Sequence, residues 1–363
     1  MQELRFGIIG CGRVVQELHL PAWKLIREAH LLAICDPSRA ALHFVSARYP
    51  GVRQYTDVDA FLEDASDLDF VVLATPGNSH FSIGEKVLYK KLHLLCEKPL
   101  SLSARDSQRL FKTAEQQGVV LTPIHNYRYR DTVKKALAYR TQGVLGDIVS
   151  ASVRFRSRSL FQEPATWMRK EREHRALLFD LAYHFVDLAL LFLGPTSSVR
   201  FVDAELDGTG LQYVVFGTLH ACGSRGLFEL MLDASSFWTQ IEVQGERGSL
   251  MLEFFPDGFR MLPQRDTPLH RAFYDAGRLF RFARSLIKER LPRGIPRRAL
   301  PHTHMLRAFV EALQRGGPSP IPEAEVMQTI GLLDEVVNCA YRVEDLVFQK
   351  GAETIEWDSS PAE

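Results

Sequence analysis

Apolar residues fall in short unbroken runs through the first third of the chain and in strict alternation through much of the second. Arg5 to Ile9, Leu31 to Cys35, Phe70 to Ala74, Leu92 to Cys96 and Val119 to Thr122 are four- or five-residue runs of the kind buried on both faces of a sheet. Between them lie amphipathic stretches that predict helices over 38–48, 57–64, 82–91 and 103–117, with Ser101 or Ser103 as the cap of the last. Strands alternating with helices predict a doubly wound α/β fold around a parallel sheet. Ligands bind such sheets outside the carboxyl ends of the strands.

The rhythm then changes. A helix runs to about Arg140, and Ile148 to Arg156 alternates Val153 and Phe155 with Arg154 and Arg156, as a half-buried strand does. Leu177 to Leu193 is an apolar helix stopped by Gly194-Pro195. Strand-like runs follow near 199–206, 212–220, 226–232, 237–244 and 248–254, joined by short turns such as Asp207-Gly208 and Gly245-Glu246-Arg247-Gly248. Helices then span 301–314 and 323–341. This predicts a second, α+β domain with an open, mostly antiparallel sheet. The expected division is 1–123, 124–345 and a tail, 346–363. An open sheet face of that size needs a cover, which predicts a homodimer or homotetramer.

Composition narrows the class. The 363 residues are 46% hydrophobic and 24% charged with zero formal net charge, so bulk electrostatics give no reason to expect a nucleic-acid partner. Cys11, Cys35, Cys96, Cys222 and Cys339 have no metal-site or disulfide spacing, and no stretch has transmembrane length. The expected setting is cytoplasmic, with no metal.

Gly10-Cys11-Gly12-Arg13-Val14 joins the first strand to a helix. Gly10 permits a tight turn, Gly12 lets backbone approach a pyrophosphate, and the helix start offers free N–H groups. Val15 stands where a third glycine is usual. Asp36 closes the second strand, where an acid meets the adenosine ribose hydroxyls and would repel a 2′-phosphate; this favours NAD over NADP, with Arg39 nearby as a counter-indication. Thr75, Lys98 and Asn126 also follow strand ends. Asp180 and His184 are four apart on an otherwise apolar helix. Alone they would read as a core histidine with a structural aspartate; beside a dinucleotide fold with a strand-end lysine they read as a site. Arg154, Arg156 and Arg158 form either a solvated strand face or an anion site, with Trp167 after them.

These elements resemble the glucose–fructose oxidoreductase / inositol dehydrogenase / MocA family. The resemblance rests on Gly10-Cys11-Gly12, His19-Leu20-Pro21-Ala22, Asp36, Thr75-Pro76 with His80, Glu97-Lys98-Pro99, Asn126-Tyr127-Arg128, and Asp180-x-x-x-His184 with Asp187. It implies a Rossmann domain, a cis Lys98–Pro99 peptide, NAD(P), and hydride transfer at a secondary alcohol of a sugar, sugar derivative or cyclitol. Lys98, Asp180 and His184 are then catalytic. Gly10, Cys11, Gly12, Arg13, Val14, Asp36, Arg39, Thr75, Pro76, Asn78, His80, Glu97, Lys98 and Asn126 hold the cofactor, and Arg128, Arg156, Arg158, Trp167 and Tyr183 meet substrate. His174-Arg175-Ala176 and Ala182 replace glycines usual in relatives. Two alternatives stay open: a redox-neutral NAD-dependent epimerase or glycosidase-like enzyme, and a non-catalytic NAD-binding regulator. Against the family pattern, about 259–300 is a basic, aromatic-bearing insert, read as a helix: from Arg260 to Arg298 eleven Lys and Arg face three acids. It either packs on a neighbouring subunit or shields the site, or it touches an anionic membrane or lipid-linked sugar weakly.

Overall fold

The computed structural model describes residues 3–157, 178–180, 182–207, 210–231, 238–254, 257–263 and 299–350. Six short strands form the first sheet: β1 (Leu4–Ile9), β2 (Ala29–Cys35), β3 (Arg53–Tyr55), β4 (Phe70–Leu73), β5 (His93–Cys96) and β6 (Leu121–Pro123). All pair in parallel, in the order β3-β2-β1-β4-β5-β6. β4 is wholly buried, as a run without polar positions requires. The chain winds outward from β1 to β3, then returns to lay β4 on the other side of β1. The crevice at that reversal opens between the ends of β1 and β4.

The turn after β1 depends on Gly10. Its φ is +92°, and a Cβ there would lie 2.6 Å from the carbonyl carbon and oxygen of Ala74 at the end of β4. The helix that follows is not regular. Val15–His19 forms a π-helical turn before α1 (Leu20–Trp23). Pro21 has no N–H to give the preceding turn, which accounts for the widened ladder. The turn directs the buried His19 ring inward.

The remaining helices of this half are α2 (Arg39–Ser46), α3 (Val58–Glu63), α4 (His80–Tyr89) and α5 (Ala104–Gln117). The starts of α2, α3 and α5 are capped by side-chain oxygens of Ser38, Asp57 and Ser103. Ser103 caps α5, while the Ser101 hydroxyl donates to the Ser103 carbonyl at 2.7 Å.

After α6 (Asp131–Thr141), seven strands form the second sheet. These are β7 (Ile148–Arg156), β8 (Thr196–Asp207), β9 (Gly210–His220), β10 (Arg225–Met231), β11 (Trp238–Gly245), β12 (Gly248–Phe254) and β13 (Gly258–Pro263). Their order is β13-β12-β11-β7-β10-β9-β8, antiparallel except for the β7–β10 pair. Val153, Phe155, Phe216, Phe228 and Leu230 line the buried face, against α7 (Tyr183–Leu193). On the other face, Phe201 and Leu227 flank Gly217, each about half exposed.

β13 corrects the reading of the basic insert as helical from 259 onward. Phe259 and Met261 alternate into register with Leu252 and Leu250, so these residues extend the sheet. Residues 264–298, with most of the insert, lie outside those described.

Helices α8 (Leu300–Gln314) and α9 (Glu323–Lys350) return to the first half. Phe309 of α8 meets Phe70 of β4 edge-on at 5.2 Å, within a cluster with Phe6 and Trp23. α9 packs on α5, α7 and β8. Among the described residues no helix is long and apolar enough to cross a membrane.

Candidate active site

β5 ends at Cys96, and Glu97-Lys98-Pro99 follows with a cis Lys98–Pro99 peptide. The Lys98 ammonium reaches the second half. Its Nζ donates to the Asp180 carbonyl and to Asp180 Oδ1, both at 2.7 Å. Burial alone would push the Lys98 ammonium down, but the Asp180 carboxylate more than offsets it, and Lys98 is held above its ordinary value. Lys98 therefore stays charged.

Asp180 and His184 do not share one regular helix. The backbone tightens at Ala182, where Phe185 N–H donates to Ala182 O, and α7 starts at Tyr183. His184 is buried, and its ring lies flat on Tyr127, with centroids 4.1 Å apart and planes 3° from parallel. Burial, then the Lys98 charge and His125, push His184 well below the ordinary histidine value, so the ring is neutral near pH 7. Among the described residues its buried Nδ1 has no hydrogen-bond partner. A neutral imidazole of either tautomer has one basic nitrogen, which is what a proton acceptor needs.

The cofactor side can be tested on the structure. Among the described residues a Cβ at Gly12 would meet nothing within 4 Å, so open space lies over the turn that has to admit a pyrophosphate. Asp36 is fixed by two backbone donors, Cys11 N–H at 2.7 Å and Ser38 N–H at 2.8 Å. Its remaining lone pairs suit ribose hydroxyls and would repel a phosphate. These residues fit NAD. Arg13, Arg39, Pro76 and Asn78 are exposed around this mouth, while Val14 and Thr75 are half-buried. The Cys11 thiol points into the core, where burial first and Asp36 second push it up to about 12.

Several expected contacts sit behind the site. His80 is buried, with Nδ1 and Nε2 each 2.7 Å from a carbonyl, of Pro99 and Thr75. It braces two loops and offers no free ring nitrogen to a ligand. Glu97 is buried against His19 and His302. Asn126 is buried, its Nδ2 2.8 Å from His302 Nδ1.

The expected substrate contacts fare differently. Tyr183 is fully buried, its hydroxyl 2.9 Å from His125 Nε2, because the first turn of α7 faces the core. Arg128 is clamped between Asp187 and Glu325, and Asp187 also pairs with His125 at 3.0 Å. Burial would raise the Asp187 carboxyl, but Arg128 and His125 hold it well below the usual range. Arg156 projects from β7 on the face turned away from α7, toward Glu229, as strict alternation with Phe155 dictates. Arg158, Trp167 and His174-Arg175-Ala176 lie outside the described residues. A cavity of about 180 Å³ between Arg128, Arg140, Asp187, Leu190 and Glu325 lies toward the far end of α7 and is lined by none of Lys98, Asp180 and His184. Tyr127, His125, Asp187, His19 and His302 were not among the expected site residues. Two signals were available: Asp187 lies one turn past His184, and His19 precedes the proline that widens its helix.

Fold and site together define a two-domain, nucleotide-dependent oxidoreductase. A family model described as "Oxidoreductase family, NAD-binding Rossmann fold" matches residues 4–125, and the GFO/IDH/MocA C-terminal domain matches 132–251. The chain belongs to the GFO/IDH/MocA oxidoreductase family. It is similar to D-apiose dehydrogenase of Rhizobium rhizogenes, 27% identical over 271 residues, 72% of this chain and 76% of the relative. Myo-inositol 2-dehydrogenase of Thermotoga maritima is 27% identical over 69% of this chain and 75% of its own. Among solved structures, the WlbA dehydrogenase of Bordetella pertussis, in complex with NADH and UDP-GlcNAcA, superposes with a TM-score of 0.76 at 21% identity, covering 94% of this chain and 97% of that one.

Proposed function

We propose that the protein oxidises a secondary alcohol of a sugar, sugar derivative or cyclitol, or reduces the corresponding ketone. The observation that carries this reading is a charged Lys98, held 2.7 Å from Asp180, close enough for its charge to act on a neutral, buried His184. The names of relatives acting on apiose and inositol support the substrate class.

Bound nicotinamide supplies the hydride acceptor or donor. As the carbinol C–H pair leaves as hydride, the O–H proton must leave too, and the basic nitrogen of His184 takes it. Tyr127 fixes the plane of that ring by stacking. Lys98 Nζ donates to the reacting oxygen and stabilises the charge that develops there. Asp180 orients the ammonium and holds it charged. In reduction the same residues run in reverse. Asp36 and the Gly10–Gly12 turn hold the dinucleotide.

The unpaired thiols support a cytoplasmic setting, and the apolar patch at Phe201 and Leu227 supports a homodimer or homotetramer through the open sheet. Light scattering on the purified chain measures the latter. The function is tested by offering sugars, sugar acids and cyclitols with NAD and following NADH absorbance. A substrate that is oxidised supports the reading. Substrate conversion with tightly bound NAD and no net NADH would mark a redox-neutral cycle instead.

A further inference from the structure

Behind Lys98 lies a buried polar chain built from four separate segments. Glu97 Oε1 lies 2.7 Å from His19 Nε2 and 3.4 Å from His302 Nε2. Glu97 Oε2 accepts the Lys98 backbone N–H at 3.2 Å. His302 Nδ1 lies 2.8 Å from Asn126 Nδ2. All four side chains are buried. A carboxylate buried this deeply stays charged only if donors surround it. Two imidazoles and a backbone amide supply them.

The proton positions follow from the partners. An ionised carboxylate only accepts, so both Nε2 atoms facing it carry hydrogen. His302 Nδ1 is then bare, and it accepts from the Asn126 amide. The order of donation is Asn126 to His302 to Glu97, with His19 and the Lys98 backbone donating to the same carboxylate. The two ends of the chain, Lys98 and Asn126, follow β5 and β6 at the carboxyl edge of the first sheet, where such sheets take their ligands. The link between them is His302, on helix α8, which the first-half sheet does not contain.

We propose that His302, with His19 and Glu97, is a positioning device that sets Lys98 and Asn126 together for hydride transfer; this rests on the function proposed above. His302 works through two different atoms. Nε2–H holds Glu97 and so the backbone that presents Lys98. Nδ1 fixes the amide plane of Asn126 on the cofactor side. Two histidines and a glutamate could also bind zinc, but the hydrogen bonds favour protons. Zinc would need bare Nε2 atoms, which moves the His302 proton to Nδ1, facing the Asn126 donor. Ligand atoms on tetrahedral zinc sit about 3.3 Å apart, wider than the 2.7 Å contact between His19 and Glu97.

The two atoms can be removed separately. His302→Asn keeps an oxygen near the Nδ1 position and loses the reach to Glu97. His302→Gln keeps an N–H near the Nε2 position and loses the acceptor for Asn126. Calorimetric NAD affinity, steady-state turnover and thermal unfolding are measured for both. In His302→Asn, NAD affinity stays within about twofold and kcat falls on the order of tenfold or more; in His302→Gln, NAD affinity falls on the order of tenfold. Equal losses in both variants, tracking their melting temperatures, would overturn the proposal. On the wild-type chain, ¹⁵N-histidine NMR reads the tautomers directly, whether or not the variants fold. His302 protonated at Nε2 is expected; protonation at Nδ1, or an equivalent of zinc in the purified protein, would refute it. NAD affinity and tautomer are read without turnover, so a wild-type chain that oxidises no sugar or cyclitol would count against the proposed function alone.

Discussion

Lys98→Met keeps the length of the side chain and removes its charge. In the wild-type chain Nζ makes two 2.7 Å bonds, to the Asp180 carboxylate and carbonyl, from a side chain 15% exposed. Methionine leaves the Asp180 carboxylate without its cation, but that carboxylate is 29% exposed and water can replace part of the lost contact. Losing a hydrogen bond to a charged partner under these conditions costs about 1–2 kcal/mol of stability, toward the low end for such bonds. The kinetic cost is larger. Removing a preorganised donor from the oxygen that gains charge lowers kcat/KM on the order of 10²–10³-fold, about 3–4 kcal/mol of transition-state stabilisation. NAD binding, which the proposed function assigns mainly to the Gly10–Gly12 turn and Asp36, is retained. The assay is NADH formation with the substrate that the wild-type chain oxidises, beside NAD titration and thermal unfolding of the variant. A kcat/KM within about threefold of wild type, with NAD binding intact, would refute the role given to Lys98.

Gly10→Ala places a Cβ 2.6 Å from Ala74 backbone at a φ of +92°, and destabilises the fold by at least about 2 kcal/mol in chemical denaturation. Gly12→Ala meets no atom of the described residues, so it unfolds like wild type but weakens NAD binding on the order of tenfold by occupying the open space over the turn. Asp36→Ala is expected to erode the preference for NAD over NADP on the order of tenfold, read from the ratio of the two dissociation constants. The buried His125, His184 and His302 all have folded values depressed by burial. Below the unfolded value of about 6.5 the unfolded chain binds more protons, so stability is lost as pH falls from neutral, by up to about 1.4 kcal/mol per pH unit for each histidine. Melting temperature should therefore drop between neutral pH and the mid-fives, whereas Glu97 and Asp187, with depressed values, lose their contribution only at lower pH. A flat or rising melting temperature over that interval would contradict the burial of these rings as neutral groups.

The first sheet was legible because its strands are buried on both faces, so that burial alone writes an apolar run such as Phe70–Leu73. β3 was not, because Arg53-Gln54-Tyr55 is a polar edge strand without such a run. β13 was hidden by the positive charge that follows it, although Phe259 and Met261 already alternate. In the site, Lys98, Asp180 and His184 stood out as polar groups beside apolar stretches. Sequence spacing does not say that Tyr183 lies on the side of α7 that faces the core. Alternation fixes that Arg156 opposes Phe155 but not that it turns toward Glu229. The His19–Glu97–His302 chain joins residues far apart along the sequence, and no local pattern announces contacts of that range.

In the proposed reaction hydride passes from a substrate carbon to bound NAD while His184 takes the proton. A single-turnover experiment with substrate deuterated at the reacting carbon follows both transfers. Deuterium is expected in the reduced nicotinamide, with a normal primary isotope effect on the chemical step and loss of that step in His184→Ala with NAD still bound. Product that forms without deuterium reaching the nicotinamide, or full-rate transfer in His184→Ala, would contradict the proposed reaction.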